Sequence, residues 1–154
     1  MTQTEEMEKM NKRRFLGEIL IDRKKITPAQ LGQALSVQNK EGGYMGEVLI
    51  KLGFVDEQDI IAALVVQCHL PYIAVDRYEI TREVIALVPR EMASKHCIVP
   101  LDRVGDILSL VMLDPLDVAV KTDVCQRTNC KVAPFISTRR EIERAIDQSY
   151  GNNH

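Results

Sequence analysis

Leu16–Ile21 reads LGEILI, and 29 positions later Met45–Ile50 reads MGEVLI. Sliding residues 16–38 onto residues 45–67 gives eight identities in 23 positions: Gly17/Gly46, Glu18/Glu47, Leu20/Leu49, Ile21/Ile50, Ala34/Ala63, Leu35/Leu64, Val37/Val66 and Gln38/Gln67. Leu16/Met45, Ile19/Val48, Ile26/Val55 and Leu31/Ile60 are conservative pairs. The pattern is that of a duplicated helix–turn–helix unit.

The helix boundaries follow from local chemistry. Leu16, Ile19 and Leu20 make one apolar helical face. TPAQ at Thr27–Gln30 supplies a capping threonine, a proline at the first helical position and a glutamine at N3, so a second helix starts there. Its Leu31, Ala34, Leu35 and Gln38 share one face, and Glu41–Gly43 should end it. In the second copy Asp56 takes the place of Thr27, and Gly53 marks the end of the third helix. Pro71 should stop the fourth.

Beyond Pro71 the pattern is mixed. Tyr72–Val75 (YIAV) reads as a short strand, and Thr81–Pro89 and Arg90–His96 read as helical turns. Cys97–Leu113 reads as a hairpin about Val104-Gly105-Asp106, and Asp114 opens a capped helix. Lys131–Ser137 reads as a strand, followed by a last helix capped by Thr138 with Glu141 at N3. The fold class expected is α+β: a four-helix subdomain of two repeated helix–turn–helix units over residues 15–70, then a small sandwich-like α/β subdomain over 71–151. Residues 1–14, polar and without a sustained apolar stripe, read as a flexible or helical extension.

Composition narrows the function. With 20 basic and 22 acidic residues well mixed and a net charge of -2, nothing points to nucleic acid as a partner. No apolar run approaches the roughly 20 residues of a bilayer span and no secretory leader is visible, so a cytoplasmic protein without direct membrane insertion is expected. Cys68, Cys97, Cys125 and Cys130 form no CxxC pair, and reduced, mostly buried thiols are expected. The adjacent pairs Cys68-His69 and His96-Cys97 fit no zinc spacing, so no metal is expected.

The motifs of the commoner chemistries are absent. There is no GxxxxGK[ST] loop, no HExxH and no GxSxG. Asp114 and Asp117 have the spacing of an acid/base pair but equally that of residues capping a helix start. No catalytic residue, and hence no enzyme, is expected.

The doubled phrase resembles the N-terminal domain, of MshEN or GspE N-terminal type, of the assembly ATPases of type II secretion and type IV pilus systems. In that family a 24-residue motif occurs twice with a five-residue spacer. Leu16-Gly17, Leu20-Ile21, Ile26, Leu31, Leu35 and Gln38 match the first copy. Met45-Gly46, Leu49-Ile50, Gly53, Phe54-Val55, Ile60, Leu64 and Gln67 match the second, and Asn39–Gly43 is the spacer. IVPLDRVGDILSLVMLDPLD at Ile98–Asp117 carries the resemblance into the second half. The resemblance implies a non-catalytic regulatory or adaptor domain. Its partner would be a protein component of a secretion or pilus inner-membrane platform, or a pilus or secretion ATPase. The family carries its motor domain after a glycine like Gly151, and a chain ending there would act by binding.

One branch of the family holds cyclic di-GMP, each motif taking half of the ligand. No other cofactor is implied. Carried onto this sequence, the ligand-binding residues are Arg14, Phe15, Leu16, Gly17, Leu35 and Gln38 in the first copy, and Tyr44, Met45, Gly46, Leu64 and Gln67 in the second. The sequence departs where the motif has arginine, placing Phe15 and Tyr44 there, and where the first copy should have Gly-aliphatic, placing Lys24-Lys25 there. Each lost guanidinium forgoes charged hydrogen bonds of about 1.5–3 kcal/mol, so weakened affinity is expected. Beside these roles stand plainer ones: close helix approach for the glycines, core packing for the aliphatics, helix-end hydrogen bonding for the glutamines and a solvated helix end for Lys24-Lys25.

Overall fold

Helix α1, seen over residues 16–22, ends in the same hydrogen-bonded turn as its repeat, and that turn shows how faithfully the duplication folds. The computed structural model describes residues 16–151. After α1 come α2 (Pro28–Glu41), α3 (Met45–Lys51) and α4 (Glu57–Cys68). At the end of α1, Arg23, Lys24 and Lys25 donate their amides to the carbonyls of Ile19, Ile21 and Leu20, each at 2.9 Å. At the end of α3, Leu52, Gly53 and Phe54 donate to Val48, Ile50 and Leu49 at 3.0, 2.9 and 3.0 Å. All three bonds repeat at an offset of 29. Together they make a Schellman closure, which needs a left-handed residue just past the helix. Gly53 fills that place at φ +80° and Lys24 fills it at φ +62°. The motif glycine therefore has a backbone reason, and Lys24 adopts the same conformation against the preference of a residue with a Cβ.

The next helix of each copy opens alike. Thr27 and Gln30 form a reciprocal capping box at the start of α2, and Asp56 and Asp59 form one at the start of α4. Leu16, Ile19, Leu20, Ile26 and Ala34 are buried, as are their repeats Met45, Val48, Leu49, Val55 and Ala63. The inner faces of both hairpins are thus buried at equivalent positions.

The chain divides into two compact units between Leu70 and Pro71. In the second unit a 3₁₀ turn (Val75–Arg77), α5 (Arg82–Ile85) and α6 (Arg90–His96) precede β1 (Ile98–Val104) and β2 (Ile107–Met112). Then follow α7 (Val118–Thr128), β3 (Lys131–Ile136) and α8 (Arg139–Tyr150). β2 lies in the middle, antiparallel to β1 and parallel to β3, with α7 as the crossover. Both strand prolines, Pro100 and Pro134, lie on the outer strands, where a missing amide costs least. The core collects Ile98, Leu108, Leu110 and Val111 from the sheet, Val88 from the turn between α5 and α6, and Val124, Ile142 and Ala145 from the helices.

Three local expectations need correction. Tyr72–Val75 is not a strand: Tyr72 makes a single parallel bridge to Ile136, and the chain then coils into the 3₁₀ turn. The amide of Val75 goes to the Ser137 hydroxyl at 3.3 Å rather than to a strand partner. Helix α7 is capped by Asp117, which accepts the Val120 amide at 3.3 Å, so Asp114 belongs to the preceding turn. Of the four free cysteines only Cys97 and Cys130 are buried, and Cys125 is exposed on α7. The expected N-terminal extension, residues 1–14, lies outside the described residues.

Candidate functional site

Gly17 and Gly46 occupy the same place in the two copies but face different neighbours. A Cβ at Gly17 would stand 2.6 and 2.7 Å from the Leu31 methyls, so this glycine lets α1 close on α2. A Cβ at Gly46 would stand 2.7 Å from Cε2 of Tyr44, 3.0 Å from its Cζ and 3.2 Å from its hydroxyl oxygen. The far edge of the Tyr44 ring is folded over the first turn of α3, which it precedes with extended backbone.

The glutamines also differ. Gln38 is 5% exposed, and its Nε2 donates to the Gly43 carbonyl at 2.8 Å. That bond ties α2 to the spacer, where Gly42 and Gly43 both have positive φ. Its Oε1 is buried with no hydrogen-bond partner among the described residues. A buried acceptor left this way costs about 1–3 kcal/mol, so Gln38 has capacity for one more donor. Gln67, one residue from the end of the shorter α4, is exposed.

Leu16, Met45 and Leu64 lie in the core, while Leu35 and Tyr44 are half-buried. Gly17 and Gly46 are buried beneath their covering side chains. Arg14 and Phe15 fall outside the described residues. Lys25 reaches from the first copy to the second, with its Nζ 3.2 Å from Asp59 Oδ1. The Asp56 amide, and after it Lys25, holds the Asp59 carboxyl below its ordinary value.

Sequence reading passed over the outward face of α4. Where α2 has Gly32, Gln33, Ser36 and Val37, α4 has Ile61, Ala62, Val65 and Val66. Val65 is 37% and Val66 54% exposed, while Ile61 and Ala62 are half-buried. Past its first turn α4 carries no charge, so both faces are apolar. The signal was in the repeat: three polar or small outward positions of one copy become larger or more apolar in the other.

Among the described residues no cluster of three metal-ligating side chains occurs, and no helix is long and apolar enough to cross a membrane.

Residues 68–154 match the MshEN domain family. The type IV pilus assembly ATPase PilB of Myxococcus xanthus is 31% identical over 135 residues, 88% of this chain but only 24% of that protein. The solved structure of MshE with cdg superposes with a TM-score of 0.74 at 28% identity, covering 88% of this chain and 98% of that one. The N-terminal domain of XpsE has the same fold, with a TM-score of 0.72 at 19% identity over 88% of this chain and 94% of the other.

Proposed function

The chain belongs to the MshEN domain family of type II secretion and type IV pilus ATPases, and from that footing we propose that it is a non-catalytic regulatory domain acting in the cytoplasm by docking. Its partner is a protein component of the inner-membrane platform. The observation that supports this reading is the outward face of α4, where Ile61, Ala62, Val65 and Val66 offer an apolar strip about two turns long. Such a strip is narrow enough to be covered by one helix of a partner. The acids of α4 lie in its first turn, Asp56 and Asp59 in the capping box and Asp59 paired with Lys25, so the strip itself carries no charge. The complementary occupant is an amphipathic helix with an aliphatic face. Mixing the purified chain with the cytoplasmic part of its platform protein tests this. Val65→Asp with Val66→Asp should weaken the complex at least tenfold, and undiminished association of the double variant would refute the reading.

A second reading is cyclic di-GMP binding by the tandem motifs. The orphaned Oε1 of buried Gln38 supports it, because a guanine edge carries N–H donors. So does the likeness to MshE, solved with cdg. Replacement of both motif arginines argues for affinity weakened by roughly two to four decades. Calorimetry with cyclic di-GMP decides this reading: no heat at high micromolar ligand removes it and leaves docking untouched.

A further inference from the structure

The end of α8 is closed differently from the ends of its neighbours. Helices α6 and α7 end on left-handed residues, Cys97 at φ +53° and Asn129 at φ +58°, whose amides return to the carbonyls of Ala93 and Cys125. Gly151, at the end of α8, has φ +76° and ψ 160°, an extended exit open essentially to glycine. Its carbonyl is taken by Nη1 of Arg90, 61 residues earlier at the start of α6. Nη2 of the same guanidinium lies 3.3 Å from Oδ1 of Asp147, one turn back along α8. The last turn of α8 holds no base of its own, so Arg90 also supplies the cation that the negative end of a helix favours. Close by, the Tyr150 hydroxyl donates at 2.7 Å to the carbonyl of Val88, two residues before Arg90.

We propose that Arg90 is an exit clamp: its guanidinium holds the Gly151 carbonyl and the Asp147 carboxylate together, and so fixes the direction in which the chain leaves α8. A planar guanidinium presents its donors in a rigid fork, so it grips two acceptors in one geometry, whereas an ammonium offers no fixed fork. The grip lies on the outside. The side chains of Arg90 and Asp147 are 45% and 64% exposed, so their pairing adds little to the stability of the unit. Its effect is on motion. Glycine is the residue with the widest choice of φ and ψ, which makes position 151 a natural swivel, and a bond to its carbonyl takes that choice away. A segment continuing past residue 151 keeps a fixed bearing on α8 while the clamp is closed and loses it when the clamp opens. This device is separate from docking on α4 and does not depend on it.

Nitrogen-15 relaxation of the full chain tests the clamp at the Gly151 amide. In the parent its order parameter should match the middle of α8, about 0.85, and in Arg90→Ala it should fall below about 0.6. Tyr150→Phe removes the hydroxyl bond from this turn to Val88 but leaves Arg90 in place, so Gly151 should stay as ordered as in the parent. A Gly151 already mobile in the parent, or one as ordered in Arg90→Ala as in the parent, overturns the clamp. Equal loosening in Arg90→Ala and Tyr150→Phe also overturns it, because the last turn of α8 would then fray as a whole. Should Arg90→Ala fail to unfold cooperatively, the parent decides alone. A gripped guanidinium turns slowly about its Nε–Cζ bond and shows two Nη environments, whereas one averaged Nη signal for Arg90 overturns the proposal.

Discussion

Replacing Glu141 by glutamine should destabilise the second unit in a way that pH makes visible. The carboxylate accepts the Tyr72 hydroxyl at 2.8 and 2.6 Å on its two oxygens, and the Thr138 amide at 2.9 Å and hydroxyl at 3.0 Å. These bonds fasten the start of the second unit, at Tyr72, to the first turn of α8. Burial alone would raise the carboxyl's pKa, but the bonds from Tyr72, Thr138 and Ser137 outweigh it and hold it below its ordinary value. A glutamine keeps the shape and one acceptor but loses the charge. Charged hydrogen bonds are worth about 1.5–3 kcal/mol and neutral ones about 0.5–1.5, so two weakened bonds cost about 2 kcal/mol, or about 1–2 allowing for the half-exposed site. For a unit of this size that lowers Tm by about 5–10 °C at neutral pH. Because the folded pKa is depressed, the parent's extra stability is fully present above the unfolded value near 4.5 and is lost as pH falls through the folded value. Melting curves at a series of pH values should therefore show the gap between parent and variant closing below about pH 4.5. Tyr72→Phe should lower Tm by a smaller amount in the same sense. A gap that stays constant to pH 3, or none at neutral pH, would mean that the Glu141 charge does not stabilise the unit.

Lys24→Gly should stabilise the first unit by about 0.5–1 kcal/mol, the left-handed strain relieved less the entropy a glycine gains in the unfolded chain. Chemical denaturation reads this directly, and a destabilised variant would mean that the Lys24 side chain outweighs its backbone. Thr27→Ala and Asp56→Ala each remove the acceptor of a capping box and should cost about 1 kcal/mol apiece in the same assay. Unequal losses would show that the two copies do not share one capping chemistry.

The α+β class and the doubled helical hairpin were legible because their determinants are local. Thr27, Asp56 and Thr138 announce helix starts through their own side chains, and an offset of 29 aligns the core letters. The Schellman closure was half legible: Gly53 advertises the left-handed turn, whereas Lys24 adopts it without any residue-type signal. Tyr72–Val75 has strand composition, but the Ser137 hydroxyl that takes its last amide lies 62 residues away. Asp114 and Asp117 both look like caps three residues apart, and only the turn between them decides which one serves. The pose of Tyr44 could not be read because it depends on which way one ring turns over a glycine. The outward face of α4 was readable but hidden, since identities between copies direct attention to the shared inner face while the information lay in the differences.

The duplication supplies its own control for the claim that one surface of the tandem unit recognises a protein. Binding of the full chain to the cytoplasmic part of the platform protein proposed as its partner should be measured for Val65→Asp on α4 and for Ser36→Asp at the equivalent place on α2. The α4 variant should lose at least tenfold in affinity while the α2 variant stays within about twofold of the parent. Equal losses at both positions, or none at either, would contradict it.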